Sequence, residues 1–200
     1  MPRIESLPLL LSFLAWPVLG VGMALFRRRG SGVTARRDPL SLVGLLVQAL
    51  AFGLAFAMHR PLDPDPPLWE EAVRWLGVAL AWTSAGVVIA AVRRLGRQWS
   101  LEARVLEGHR LIKEGPYRYV RHPIYSGMLG LCLGTGVNLT WWGALAAATA
   151  LYLGGTRLRT RVEEDLLARE LGEEYRRYAA EVPALVPWPF GRRPPPTARG

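Results

Sequence analysis

Apolar and polar positions along the 200-residue chain are sorted into long blocks rather than alternating within short ones. Residues 7–26 carry no charge, and a helix of twenty residues reaches about 30 Å, the thickness of a bilayer's hydrocarbon core. Pro17 inside that run predicts a kink. A second uncharged run spans 39–58, with Pro39 suited to a first helical turn and Gln48 expected to face protein. A third spans 75–92, with Glu70, Glu71 and Arg74 just ahead of it and Trp69 and Trp75 placed as interface anchors. Two shorter runs, 124–139 and 141–155, flank an uncharged turn around Asn138, Thr140, Trp141 and Trp142. They predict a tight helical hairpin that either spans a thinned bilayer or dips in and returns. Gly127, Gly130, Gly134 and Gly136 give one of its helices a face that another backbone can approach closely. Residues 157–181 are polar and helix-prone, with Arg159, Glu163, Leu167, Leu171, Tyr175 and Tyr178 on one stripe. Gly172 is a candidate break in that helix.

This pattern predicts an all-α integral membrane protein with about five transmembrane helices, three full spans plus the hairpin. It divides the chain into an N-terminal anchor region (1–96), a region able to carry chemistry (97–187) and a Pro/Arg-rich tail (188–200) expected to be disordered.

Charge orients the helices. Of the twenty-five Lys and Arg residues, five lie in 27–38, eight in 93–121 and nine from Arg157 onward. The positive-inside rule puts all three segments on the cytoplasmic face, with the N-terminus outside and the C-terminus in the cytoplasm. The net charge of +9 flanks apolar runs instead of lining one groove, which favours contact with anionic lipid over nucleic acid. Arg27, Arg28 and Arg29 follow the first run as a stop-transfer cluster, and no cleavage site stands out before them. The single cysteine, Cys132, excludes an internal disulfide and a cysteine zinc cluster. No Gly-x-Gly-x-x-Gly motif follows a strand, so no Rossmann site is indicated.

The densest chemistry lies between Gly108 and Gly127, which holds His109, His122, Tyr117, Tyr119 and Tyr125. Pro123 disfavours helix at His122 and marks a helix start, whose free N–H groups attract an anionic ligand group. The tyrosines offer aromatic faces to a cationic centre. Glu163 shares a face with apolar residues, so it points into the protein and needs a positive partner there, either Arg159 or a ligand ammonium. The spacing of His109, His122 and the acids matches no common zinc pattern, and Ser126 lies in no nucleophile elbow.

Arg121-His122-Pro123-x-Tyr125-x-Gly127, preceded by His109-x-Leu111 and Gly115-x-Tyr117, resembles the isoprenylcysteine carboxyl methyltransferase family and the related phospholipid N-methyltransferases. The second half of the signature follows in Glu163-Glu164, Gly172-Glu173-Glu174-Tyr175, Tyr178 and Val182-Pro183. The resemblance implies a membrane-embedded enzyme that uses S-adenosyl-L-methionine without a Rossmann domain. It places His109, Leu111, Ile112, Tyr117, His122, Pro123, Tyr125 and Glu163 around the cofactor. Arg159 falls where the family meets substrate, and Arg121 is structural or substrate-facing. A lipid carboxylate would need no base, whereas a lipid amine would require one, such as Glu164 or His122. The implied partners are a lipophilic acceptor and membrane lipid. The arginine- and alanine-rich composition points to a bacterial inner membrane, where a prenylated cysteine is not the expected acceptor. An NADPH-dependent reductase of the sterol-reductase type and a non-catalytic adaptor are the alternatives.

Overall fold

The computed structural model describes residues 7–26, 34–37, 40–61, 63, 66–96, 104–106 and 111–187, with backbone alone at 34–37 and 104–106. Pro39, His109 and the 188–200 tail lie outside the described residues. Three helices are long and apolar enough to cross a membrane: α1 (Leu7–Phe26), α2 (Leu40–Ala57) and α3 (Leu68–Leu95). Then come α4 (Pro123–Leu139), α5 (Trp142–Leu171) and α6 (Glu173–Glu181). The loops after α1 and α3 pair through a short antiparallel ribbon, β1 (Thr34–Arg37) with β2 (Arg104–Leu106).

Two boundaries differ from the sequence reading. The third helix starts at Leu68, so Glu70, Glu71 and Arg74 are inside it rather than ahead of it. Glu70 and Arg74 are both buried, and the helix accommodates them because they pair with each other at 2.9 Å and Glu70 also pairs with Arg60 at 2.9 Å. The second half of the hairpin does not end at Gly155 but continues as one 30-residue helix to Leu171. Gly154 and Gly155 do not break it. The α2 backbone lies where a Gly155 side chain would go, 2.7 Å from Gly44 O, so close packing supports the helix at its weakest point. The break comes at Gly172, whose φ of +55° is a left-handed conformation that favours glycine.

The two hairpin helices do not pack mainly on each other. α4 lies along α3, α5 lies along α2, and α1 covers α3. Gly127, Gly130 and Gly134 of α4 face Val88, Ser84 and Gly77 O of α3, whereas Gly136 turns to Leu145 of α5. Ala15, Leu19, Ala81, Ala85, Val88, Val92 and Leu131 form a buried core between α1, α3 and α4. The α4–α5 turn docks on the α2–α3 loop: Arg60 N donates to Leu139 O at 2.8 Å and Trp141 N to Met58 O at 3.1 Å. The hairpin therefore reaches the same end of the bundle as that loop. The antiparallel course of α4 and α5 brings the start of α4 and the polar half of α5 together at the opposite end.

Candidate active site

His122 precedes Pro123 and is the non-helical N-cap of α4. Pro123 fills the first helical position, where a missing N–H costs nothing. The imidazole is 7 % exposed and lies between two consecutive carboxylates of α5. Nε2 is 2.8 Å from Glu164 Oε1 and Nδ1 is 3.5 Å from Glu163 Oε2. Burial alone would lower the His122 pKa, but hydrogen bonds and charge from Glu163 and Glu164 overcome it and raise the pKa above the ordinary histidine value. Burial would raise the Glu164 carboxyl, yet His122 and Arg121 hold it below the usual carboxylate value.

Arg121 is fully engaged. Its Nε and Nη2 donate to Glu164 Oε1 at 3.0 and 2.8 Å, and Nη1 donates to Ala179 O at 2.7 Å and Val182 O at 2.6 Å. It thus ties α5 to the C-terminal end of α6. The segment after α6 forms a strap over the start of α4: Arg121 N donates to Pro183 O, His122 N to Ala184 O and Ser126 Oγ to Leu185 O.

A second branch runs toward the apolar bundle. Tyr125 OH donates to Glu163 Oε1. Arg159 Nε donates to Tyr125 OH at 2.9 Å, its guanidinium lies 5.2 Å from the Tyr125 ring centre, and Nη2 is 3.8 Å from Glu163 Oε1. Arg159 and Glu163 meet because they are four residues apart on α5. Arg159 is 4 % exposed. Tyr152 OH donates to Tyr125 O, and Tyr178 OH donates to Tyr117 O.

The structure therefore joins Arg121, His122, Tyr125, Arg159, Glu163 and Glu164 in one polar network. Tyr117 is buried, and its backbone oxygen accepts from Tyr178 OH. Pro123 is buried beneath the network. Leu111 and Ile112 are half-buried in the segment before the 3-10 turn Gly115–Arg118. Tyr119 is exposed and takes no part. Sequence reasoning missed Tyr152, which sits in an apolar run with nothing to mark it. It also missed the strap, for which Val182-Pro183 was the available signal.

Membrane-length apolar helices capped at one end by this charged network define a membrane-embedded protein with a polar site at the mouth of its helices. The isoprenylcysteine carboxyl methyltransferase (ICMT) family model matches residues 77–169, which cover most of α3, all of α4 and nearly all of α5. A probable protein-S-isoprenylcysteine O-methyltransferase of Oryza sativa subsp. indica is 31% identical over 159 residues, 76% of this chain and 83% of that protein. Protein-S-isoprenylcysteine O-methyltransferase B of Arabidopsis thaliana is 36% identical over 101 residues, 49% of this chain and 51% of that protein. Methanethiol S-methyltransferase 1 of Bradyrhizobium diazoefficiens is 37% identical over 162 residues, 72% of this chain and 53% of that protein. The chain belongs to the isoprenylcysteine carboxyl methyltransferase family, and it is an integral membrane methyltransferase.

Proposed function

We propose that this protein transfers a methyl group from S-adenosyl-L-methionine to an anionic oxygen or sulfur of an acceptor with an apolar body, at the cytoplasmic mouth of the helices in a bacterial inner membrane. The residues present suit the cofactor: Glu163 is a half-buried carboxylate for an ammonium or a ribose diol, and Tyr125 and Tyr117 offer aromatic surface for a cationic centre. His109, Leu111, Ile112 and Pro123 complete the expected lining. When bound, the cofactor supplies a methyl group on a positively charged sulfur. Arg159 orients the acceptor's anion, and Tyr125 and Glu163 fix where its guanidinium points.

The observation that carries this reading is that the carboxylates and the imidazole of the site are already paired with one another. Glu164 accepts from Arg121 and pairs with His122, and His122 lies between two carboxylates that raise its pKa. A lipid ammonium would have to disturb one of these pairings to leave its proton. An acceptor that arrives as a carboxylate needs no base, whereas a thiol, mostly protonated near neutral pH, reacts through its ionised fraction and gives its proton to solvent. The names of the relatives fit both cases, one an O-methyltransferase of isoprenylcysteine and one an S-methyltransferase of methanethiol. S-methylation of a small thiol is therefore the second reading.

Titration of purified protein with S-adenosylhomocysteine tests the cofactor. Folded protein that does not bind it would reject that part of the proposal. Turnover with an S-prenylated cysteine, with methanethiol and with phosphatidylethanolamine tests the acceptor. Product from the prenylated cysteine or from methanethiol is expected, and a methylated amine as the main product would overturn the reading.

A further inference from the structure

Helix α2 lies outside the 77–169 segment that the family model matches, yet it touches the stem of Arg159. A Cβ placed on Gly44 would lie 2.5 Å from Arg159 Cγ and 2.8 Å from Gly155 O. The approach is reciprocal, since a Cβ on Gly155 would lie 2.7 Å from Gly44 O and 3.0 Å from Gln48 Cγ. One turn on, Gln48 Nε2 donates to Thr156 Oγ1 at 2.8 Å, a buried bond that fixes the register of the two helices. Two glycines thus let the α2 and α5 backbones touch, and the Arg159 stem lies in the resulting notch.

From this geometry we infer that Gly44 is a positioning residue for methyl transfer: its lack of a side chain seats the Arg159 stem against α2 and aims the guanidinium at Tyr125 OH and Glu163. The inference rests on the reading of Arg159 as the group that meets the acceptor. It gives α2 a part in the reaction beyond membrane anchoring.

The test compares wild type, Gly53→Ala, Gly44→Ala, Arg159→Ala and the Gly44→Ala/Arg159→Ala double variant. Gly53 is on the same helix with open space where its Cβ would go, so Gly53→Ala reproduces wild type. With an S-prenylated cysteine or methanethiol as acceptor, Gly44→Ala lowers kcat/KM for the acceptor about tenfold or more and leaves the S-adenosylhomocysteine Kd within about twofold, ~1.4 kcal/mol being the tenfold equivalent. The double variant is no slower than Arg159→Ala, because the two changes act through one side chain. Losses that multiply, or a parallel loss of S-adenosylhomocysteine affinity, would assign the notch to helix packing alone and overturn the inference. If Gly44→Ala does not fold, a folded double variant supports the inference and an unfolded one overturns it. If wild type turns over neither acceptor, the acceptor reading fails, and the seating of Arg159 is read from its modification by phenylglyoxal, located by mass spectrometry. Slow modification in wild type and Gly53→Ala with faster modification in Gly44→Ala supports the inference; equal rates overturn it.

Discussion

His122 lies between two carboxylates, and that position sets the pH behaviour of the site. Its pKa is raised, so the stability it contributes is complete below the unfolded histidine value, about 6.5, and is lost as pH rises through the higher folded value. Glu164 is lowered, so its contribution is complete above the unfolded glutamate value, about 4.3, and is lost as pH falls through the lower folded value. The clasp is strongest between those two values. His122→Gln should therefore cost about 1–3 kcal/mol near pH 6, with the gap to wild type closing as pH rises through the raised folded value. Thermal unfolding in detergent across that range measures it, and a gap independent of pH would refute the assignment. Arg121 holds Glu164 and the end of α6 at once. Arg121→Met leaves Glu164 without its guanidinium and should cost about 3 kcal/mol. It should also free the 182–185 strap, seen as faster limited proteolysis after α6; an unchanged cleavage rate would show that the strap is held elsewhere.

At the scale of helices, glycine placement decides which pairs form. A Cβ on Gly134 would lie 2.5 Å from Gly77 O and 2.7 Å from Ala81 N, both backbone atoms that cannot rotate away. Gly134→Ala should therefore push α4 off α3 and cost about 1–3 kcal/mol. Gly86→Ala, where nothing lies within 4 Å, should be neutral or slightly stabilising, because alanine reduces unfolded-state freedom. Equal melting temperatures for the two variants would contradict the packing described here. The glycine face was legible in the sequence, since Gly127, Gly130 and Gly134 recur at helical spacing in an apolar run; Gly136, read as part of that face, turns to Leu145 of α5 instead. The partner of that face was not, because spacing says that a backbone approaches but not which one. Chain adjacency favoured α5, and the structure chose α3. The continuity of α5 was hidden for the same reason: Gly154 and Gly155 look like an end until the α2 backbone occupies the space beside them. The site was more legible than the fold. Glu163 and Arg159 sit four residues apart on one helix, and His122 is fixed by Pro123, so local geometry nearly determines them. Arg121's hold on α6 depends on where the chain returns after Gly172, which no local pattern encodes.

At the scale of the whole molecule, the two ends of the bundle treat positive charge differently. Twenty-two of the twenty-five Lys and Arg residues fall in the three sequence segments 27–38, 93–121 and 157–200. The exceptions are Arg3, Arg60 and Arg74. Arg60 and Arg74 both pair with Glu70, and Arg60 also donates to Val137 O at 3.2 Å and stacks on Trp142. Charge at that end is thus engaged within the bundle, while at the site's end Arg118, Arg157 and Arg161 are exposed to solvent and anionic headgroups. Such asymmetry is what orients helices during insertion. The hairpin turn docks beside Met58–Arg60 through Arg60 N and Trp141 N, so α4 and α5 run between the same two faces as α2 and α3. That favours five crossings over a re-entrant dip. A reporter fused after Pro187 should read cytoplasmic, and a single cysteine placed at Trp141, which is exposed at the turn, in a Cys132→Ala background, should react with a membrane-impermeant maleimide from the outer face. Labelling of that cysteine only after the membrane is permeabilised would place the turn inside, and a non-cytoplasmic reporter would reverse the whole orientation.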